Sequence, residues 1–519
     1  MEGGTGRSHH QLVLALCVAA AALIVGAAAG DAPVAQELRR GFSAAHDPSY
    51  SQFQPVLGDP TGAFALGFLR VNTTMLDLAV LHVPSSFPLW RAIPDRPAPW
   101  SAAAALSFDG GGLVLTEKAA NKVLWSSTAV SGAAGGGDRA VLLNTSNLQV
   151  IQSGGGVVWQ SFDHPSESIV QGQNLTSAAA LHSFDRRFSM RLGTNYFALY
   201  IEPLPPTRGI AAAMYWRHTA LEAKAQIVAG GGPTYARVEP DGFLAMYQKE
   251  GPPADVLSFD TFNRGVRAPR RMTLEPDGNL RAYYWDGARW ALDYTAITEP
   301  CELPTTCGAY SVCAPPNGRC ACLLPNATDG SGASGCAAAG VGVSSSSAAG
   351  LCGATGGEVG GLYTAVRRNG VEPANKELLD FEHAATAADC EARCDRNCTC
   401  WGAVYSNGTG YCYLMDYPAQ VLVATDDRKV GYFKVRTPED DAARGGRGAS
   451  RAKAALLGVG VAAVVAAAAF GAYRLWESRR RTAADARGQM SAAADGLSPG
   501  PYKNLGSFSS VELTNSFRR

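Results

Sequence analysis

The chain has 519 residues, 46% of them hydrophobic, and its 45 Lys plus Arg balance 45 Asp plus Glu, so the formal net charge is zero. With no basic run except around one apolar segment near the C-terminus, nucleic acid is excluded as an expected partner. No Gly-rich phosphate loop, His-Arg-Asp or Asp-Phe-Gly set, His-x-x-x-His pair or nucleophile elbow occurs, so no catalytic role, metal or cofactor is expected.

Residues 1–30 place Arg7 before an Ala/Leu/Val run from Leu12 to Ala29, with small residues Ala28 and Gly30 ahead of Asp31. That order predicts a secretory signal peptide. Six N-x-S/T sequons follow, at Asn72, Asn144, Asn174, Asn326, Asn397 and Asn407, each a candidate glycosylation site in an exported segment. Of 13 Cys, Cys17 lies in the signal and the other twelve fall between Cys301 and Cys412, which after an export signal reads as disulfides.

Residues 50–295 contain no Cys, many Gly and Asp turns and short apolar runs, an all-β pattern. Trp90, Trp125 and Trp159 recur 35 and 34 residues apart, in Pro-Leu-Trp, Val-Leu-Trp-Ser-Ser and Val-Val-Trp-Gln-Ser contexts. Three copies of one β unit cannot each bury their own Trp, so they should pack around a common axis. A second repeat pairs Val238-Glu-Pro-Asp-Gly-Phe-Leu244 with Leu274-Glu-Pro-Asp-Gly-Asn-Leu280, each reading as strand, Asp-Gly turn, strand. Two modules are expected, with a break near residues 172–185.

Gly62-Ala-Phe-Ala-Leu-Gly-Phe68 and Trp159-Gln-Ser-Phe-Asp-His-Pro165 resemble the bulb-type lectin module of plant S-domain proteins, the S-locus glycoproteins and lectin receptor-like kinases. Leu274-Glu-Pro-Asp-Gly-Asn-Leu-Arg281 resembles that family's second lectin-like module. The resemblance implies a mostly β protein: β-prism modules over residues 50–172 and 173–297, an EGF-like module over 298–337, a linker over 338–350, and an α+β PAN/apple module over 351–436. A membrane helix and usually a kinase complete the family order. Bulb-type lectins that bind mannose use a Gln-x-Asp-x-Asn-x-Val-x-Tyr strand, whose polar side chains bond vicinal hydroxyls. The nearest match, Glu275-x-Asp277-x-Asn279-x-Arg281-x-Tyr283, keeps three of five positions, making Asp277, Asn279 and Tyr283 the carbohydrate-binding candidates. Asp241 and Tyr247 keep two in the preceding repeat; near Asp109 only the aspartate survives, and between Leu143 and Ile151 only Asn147. A carboxylate and an Arg in place of an amide and Val argue against the standard sugar geometry, so a scaffold role is expected for the strand.

Six Cys in residues 301–336 (Cys301, Cys307, Cys313, Cys320, Cys322 and Cys336) leave too little chain for a core, so crosslinks must hold that fold. Sequence alone allows fifteen pairings; the EGF-like resemblance implies Cys301–Cys313, Cys307–Cys320 and Cys322–Cys336. In the second set, Thr386 and Asp389 open a helix with a capping-box-like pattern, and Cys390 and Cys394, four apart, share one of its faces. The PAN/apple resemblance implies Cys390–Cys412 and Cys394–Cys400, leaving Cys352–Cys398. A zinc site of Cys394, Cys398 and Cys400 is the competing reading.

Ala454 to Tyr473 is twenty uncharged residues, enough for one membrane-spanning helix, with Arg451, Lys453, Arg474 and Arg479–Arg481 on its flanks. With the signal cleaved, the expected location is the plasma membrane, single-pass type I, the N-terminus outside and residues 474–519 inside. In that tail Tyr502-Lys503-Asn504-Leu505 fits the Tyr-x-x-Φ peptide that clathrin adaptors read, so Tyr502 and Leu505 form a candidate sorting motif. The whole reads as a kinase-less receptor-like surface glycoprotein that binds an extracellular protein or glycan ligand and acts through other proteins. Candidate partners are a receptor kinase in the same membrane and a homo- or heterodimer mate. The alternative is an adhesion lectin that holds cell-wall or glycoprotein glycans without signalling.

Overall fold

The computed structural model describes residues 34–128, 136–202, 212–220, 235–248, 252–308, 310–323, 363–416, 421–423, 428–435 and 473–474. The signal segment, Asn326, Cys336, Cys352, the linker, nearly all of the expected membrane helix and the Tyr502/Leu505 motif lie outside the described residues. Among the described residues no helix is long and apolar enough to cross a membrane.

The chain is mostly β. Its first module is three antiparallel sheets, each of four main strands. One joins Phe53–Gly58, Phe64–Val71, Met75–His82 and Phe87–Arg91; a second joins Lys122–Ser126, Gly112–Glu117, Ala104–Asp109 and Ser43–Ala45. The third joins Leu38–Arg39, Arg139–Leu142, Leu148–Ile151 and Val157–Gln160. Alternating residues of each sheet, among them Leu66, Leu78, Leu106, Leu115 and Val150, fill one core. Each sheet also contributes one Trp to a triangle on the module axis. The rings of Trp90, Trp125 and Trp159 meet edge to face, with centroids 5.6, 5.8 and 5.4 Å apart. Edge-to-face contact sets the positive rim of one indole on the negative face of the next. The 34- and 35-residue spacing is therefore the length of one sheet.

The second module repeats the plan. Ser168–Val170, Arg270–Leu274, Leu280–Trp285 and Trp290–Thr295 form one sheet; Asn174–Thr176, Tyr235–Glu239, Phe243–Tyr247 and Asp255–Ser258 form another. Ala180–His182, Phe188–Leu192, Tyr196–Ile201 and Ala213–Thr219 form the third. This module begins at Ser168, just before the expected break near residues 172–185, and residues 174–176 and 180–182 are strands of it. Runs of three residues are too short to display alternation, and their partners lie as far as 63 residues away, as Asn174 and Arg237 do. The first module likewise begins before residue 50, at Leu38, which pairs with Ala140. Inside the second module, Arg270 and Asp293 form an ion pair at 2.5 Å with side chains 1% and 0% exposed. Arg270 also donates to Thr261 Oγ1 and the Pro240 and Val266 carbonyls, so the charge is buried with its hydrogen bonds satisfied.

Aromatic and cationic side chains join the two modules. Trp290 donates from Nε1 to Ser85 Oγ at 2.9 Å, and the Arg271 guanidinium lies 3.8 Å from the Phe87 ring centre. His82 packs edge-on against Trp285 and Trp290. Desolvation lowers the pKa of His46, His82, His164 and His182 from the ordinary 6.5, so these rings are held neutral in the fold. The unfolded chain takes up protons as pH falls through 6.5, whereas the folded state resists until lower pH. The histidines' contribution to stability is thus complete above 6.5 and declines below it. Between pH 6.5 and about 9 the histidines add no pH dependence to the thermal midpoint of the lectin-like modules, and below 6.5 the midpoint is expected to fall; a midpoint that rises as pH drops just below 6.5 contradicts the assignment.

The third part is built on disulfides. Strands Ser311–Ala314 and Arg319–Cys322 form a hairpin, crosslinked to the preceding loop by Cys301–Cys313 and Cys307–Cys320. Ser311–Ala314 pairs in parallel with Val421–Val423, which pairs with Val371–Pro373, so the hairpin and the last module share one sheet. That module's own sheet runs Thr364–Asn369, Lys429–Val435, Gly402–Ser406, Tyr411–Met415 and Phe381–His383. Helix Ala387–Arg396 packs on it, with Thr386 Oγ1 accepting from the Asp389 amide as its N-cap. At the helix C-terminus the buried Lys434 ammonium donates to the carbonyls of Cys394 and Asn397, where the helix dipole favours a cation.

Candidate ligand-binding surfaces

The Glu275–Tyr283 strip lies on a strand that opens from the Asp277–Gly278 turn. Gly278 has φ +88°, and a Cβ there would meet the Phe188 ring at 3.2 Å, so glycine is required. Asp277 accepts from the Asn279 amide at 2.8 Å and from Arg281 Nη2 at 2.7 Å. Asn279, 2% exposed, turns inward: its Nδ2 donates to Ile297 O and its Oδ1 accepts from Ile297 N. The Tyr283 hydroxyl donates to Glu275 Oε1 at 2.8 Å, and the Arg271 guanidinium sits 4.0 Å from its ring centre. Burial pushes the Tyr283 hydroxyl up and Glu275 adds to it; burial pulls Arg271 down to about 10.

The preceding repeat has the same closure. The Tyr247 hydroxyl donates to Glu239 Oε1 at 2.5 Å, Arg237 Nε donates to that same oxygen at 2.7 Å, and the guanidinium lies 4.9 Å from the Tyr247 ring. Burial, then Glu239, raises Tyr247 to about 12. On the third sheet Glu202 accepts from both Ser189 and Arg191, with Arg191 over Tyr200 at 5.2 Å. An amide can both donate to and accept from a sugar; a carboxylate only accepts, and here it accepts from its own strip. A sugar in either repeat must break a charge-assisted hydrogen bond worth about 1.5–3 kcal/mol. The structure therefore brings Asp277 and Tyr283 onto one strip, separates Asn279 from them, and adds Glu239, Arg237 and Arg271. The repeated Glu-Pro-Asp-Gly with Tyr five places after Gly was the only sequence sign of that pairing.

In the first module Asp109 is exposed, while Asn147 is buried, donating to Gln160 Oε1 and accepting from Ser161. Sequon residues Asn72, Asn144, Asn174 and Asn407 are exposed. Asn397 is half-buried and accepts from the Thr399 amide and hydroxyl of its own sequon. Cys390–Cys412 and Cys394–Cys400 are bridged, with Cα separations of 5.6 and 5.2 Å, so Cys394 and Cys400 are not free to form the competing zinc site. Cys322 and Cys398 are disulfide-bonded too.

One surface presents an exposed aromatic ring on a sheet edge. Phe381, 48% exposed, stands on the edge strand Phe381–His383, all of whose residues are exposed. Its ring lies 4.1 Å from Tyr411 and 5.9 Å from Tyr413, and His383 is 5.0 Å from Tyr411. Among the described residues that strand pairs on one side only, with Tyr411–Tyr413.

Three domain families match in order: D-mannose binding lectin over residues 89–191, S-locus glycoprotein domain over 253–325 and PAN domain over 369–435. A PAN domain-containing protein of Arabidopsis thaliana is 41% identical over 487 residues, covering 92% of each chain. A G-type lectin S-receptor-like serine/threonine-protein kinase of the same plant is 26% identical over 71% of this chain, which spans 46% of that kinase. Among solved structures, the two-domain fetuin-binding lectin of Scilla campanulata shows 15% identity, with 51% of this chain and 96% of the lectin covered and a TM-score of 0.16.

Proposed function

Since the chain belongs to the plant S-domain family, with lectin-type, S-locus glycoprotein and PAN domains in order, we propose that it is a receptor-like plasma-membrane glycoprotein that engages an extracellular protein ligand or partner receptor and acts through other proteins. The observation that carries this reading is the contrast between surfaces. The strips that would hold sugar are closed on themselves, whereas Phe381 stands exposed over half-buried Tyr411 and Tyr413, beside a strand edge unpaired among the described residues. Aromatic anchors beside a free edge are the usual material of protein contacts. Because the chain spans about half the length of the kinases it matches, their activity is not carried over to it.

A second reading, adhesion through glycans, is favoured by the D-mannose binding lectin match. A photo-crosslinking residue placed at Phe381 of the full-length protein in plant membranes tests the first. A discrete protein adduct is expected there and none from the same probe at Val256, which is 37% exposed on the second lectin-like module. Equal adducts at both positions, or saturable capture on mannose-terminated glycans that Asp277→Ala abolishes, would favour the adhesion reading.

A further inference from the structure

A cleft of about 560 Å³ opens at the end of the tryptophan triangle, within the volume range of small-ligand sites. Its aromatic wall is made by Trp125, which unlike Trp90 and Trp159 is only half-buried, and by His164, which stacks on Trp159 at 10° and 5.6 Å. Its charged wall is strongly unbalanced. Arg91, Arg96, Lys122 and Arg186 line it against the carboxylate of Asp95; Asp95 is already paired with Arg186, and Arg91 with Asp77. Arg96 and Lys122 are exposed and, among the described residues, have no ion-pair partner. The cleft is thus lined by two uncompensated cations together with an indole.

Arg186 comes from the other module. It sits in the Ser183–Phe188 turn at φ +61°, a left-handed conformation unusual for a residue with a Cβ. The turn is pinned by Ser183, whose hydroxyl donates to Asp185, and the Arg186 side chain reaches across to Asp95. The cleft is complete only when the two modules are docked, and strain of this kind is retained where surroundings over-determine it.

We propose that this cleft binds an acidic saccharide, a pyranose chain whose rings carry carboxylates, independently of any contact at Phe381. The apolar C–H face of the sugar lies on Trp125, and its carboxylate takes charge-assisted hydrogen bonds from Arg96 and Lys122. Neutral sugars leave both cations unpaired, and apolar ligands do not desolvate them. The closed strips on the sheets play no part.

Full-length protein in detergent, titrated calorimetrically with a galacturonic-acid oligomer, tests this. Saturable binding is expected, weakening as salt screens the cations. The methyl-esterified oligomer is expected to bind at least about tenfold more weakly, as is the acidic oligomer to an Arg96→Ala/Lys122→Ala double variant. Both residues are exposed, so the variant's thermal midpoint should match wild type, and Trp125→Phe should weaken binding less than the double variant does. Absence of saturable binding, equal affinity for acidic and esterified oligomers, or an unaffected double variant overturns the proposal. Equal binding of polyglutamate assigns the cleft to acidic peptides and overturns it as well.

Discussion

Replacing Trp159 with Ala is expected to destabilise the first lectin-like module by about 3–5 kcal/mol, the range for removing a buried large aromatic. Trp159 is 4% exposed, touches Trp90 and Trp125 edge-on, and carries His164 on its face. Each sheet supplies one corner of the triangle, so losing a corner leaves a void on the axis that neither remaining sheet can close alone. The effect should spread to Trp90, whose Nε1 donates to the His164 carbonyl at 2.8 Å. Trp125→Ala is expected to cost less, because Trp125 is half-buried. Equilibrium urea unfolding of the full-length variants measures the difference. A Trp159→Ala loss below about 1 kcal/mol, no more than an average substitution, would show that the triangle is not what couples the sheets.

The second large effect is confined to the opposite end. Removing the Cys390–Cys412 bridge by double Ser substitution is expected to cost about 2–5 kcal/mol and to free the helix from its sheet. Both half-cystines are essentially buried, 1% and 0% exposed, and the bridge ties helix Ala387–Arg396 to strand Tyr411–Met415. Cys394–Cys400 anchors the same helix one turn later, so full reduction should release it entirely. The lectin-like modules contain no Cys between residues 34 and 295 and should be untouched. Hydrogen exchange with and without reductant reads both regions at once. Unchanged protection of residues 387–396 on reduction, or loss of protection in the Trp90 sheet, contradicts this division.

Several features were legible before any coordinates because they are local or periodic. The tryptophan interval marks one sheet; the Asp-Gly pairs mark hairpin turns; Thr386 marks a helix start. The crowding of twelve Cys into residues 301–412 marks a part too small to hold itself by core packing. Each of these is written in consecutive or regularly spaced residues, so the chain's own geometry expresses it. The placement of the polar groups was not legible. Asn279 kept the sugar-strand pattern, yet its amide is used by Ile297, eighteen residues on. Tyr283 and Tyr247 are spent on Glu275 and Glu239, and Arg186 is carried to Asp95 in the other module. The parallel pairing of Ser311–Ala314 with Val421–Val423 joins segments over a hundred residues apart. An amide, hydroxyl or guanidinium bonds equally well to water, a ligand or a neighbour. Residue type and spacing therefore leave the choice open, and it is made only when docked sheets and modules fix which partner lies within 3 Å.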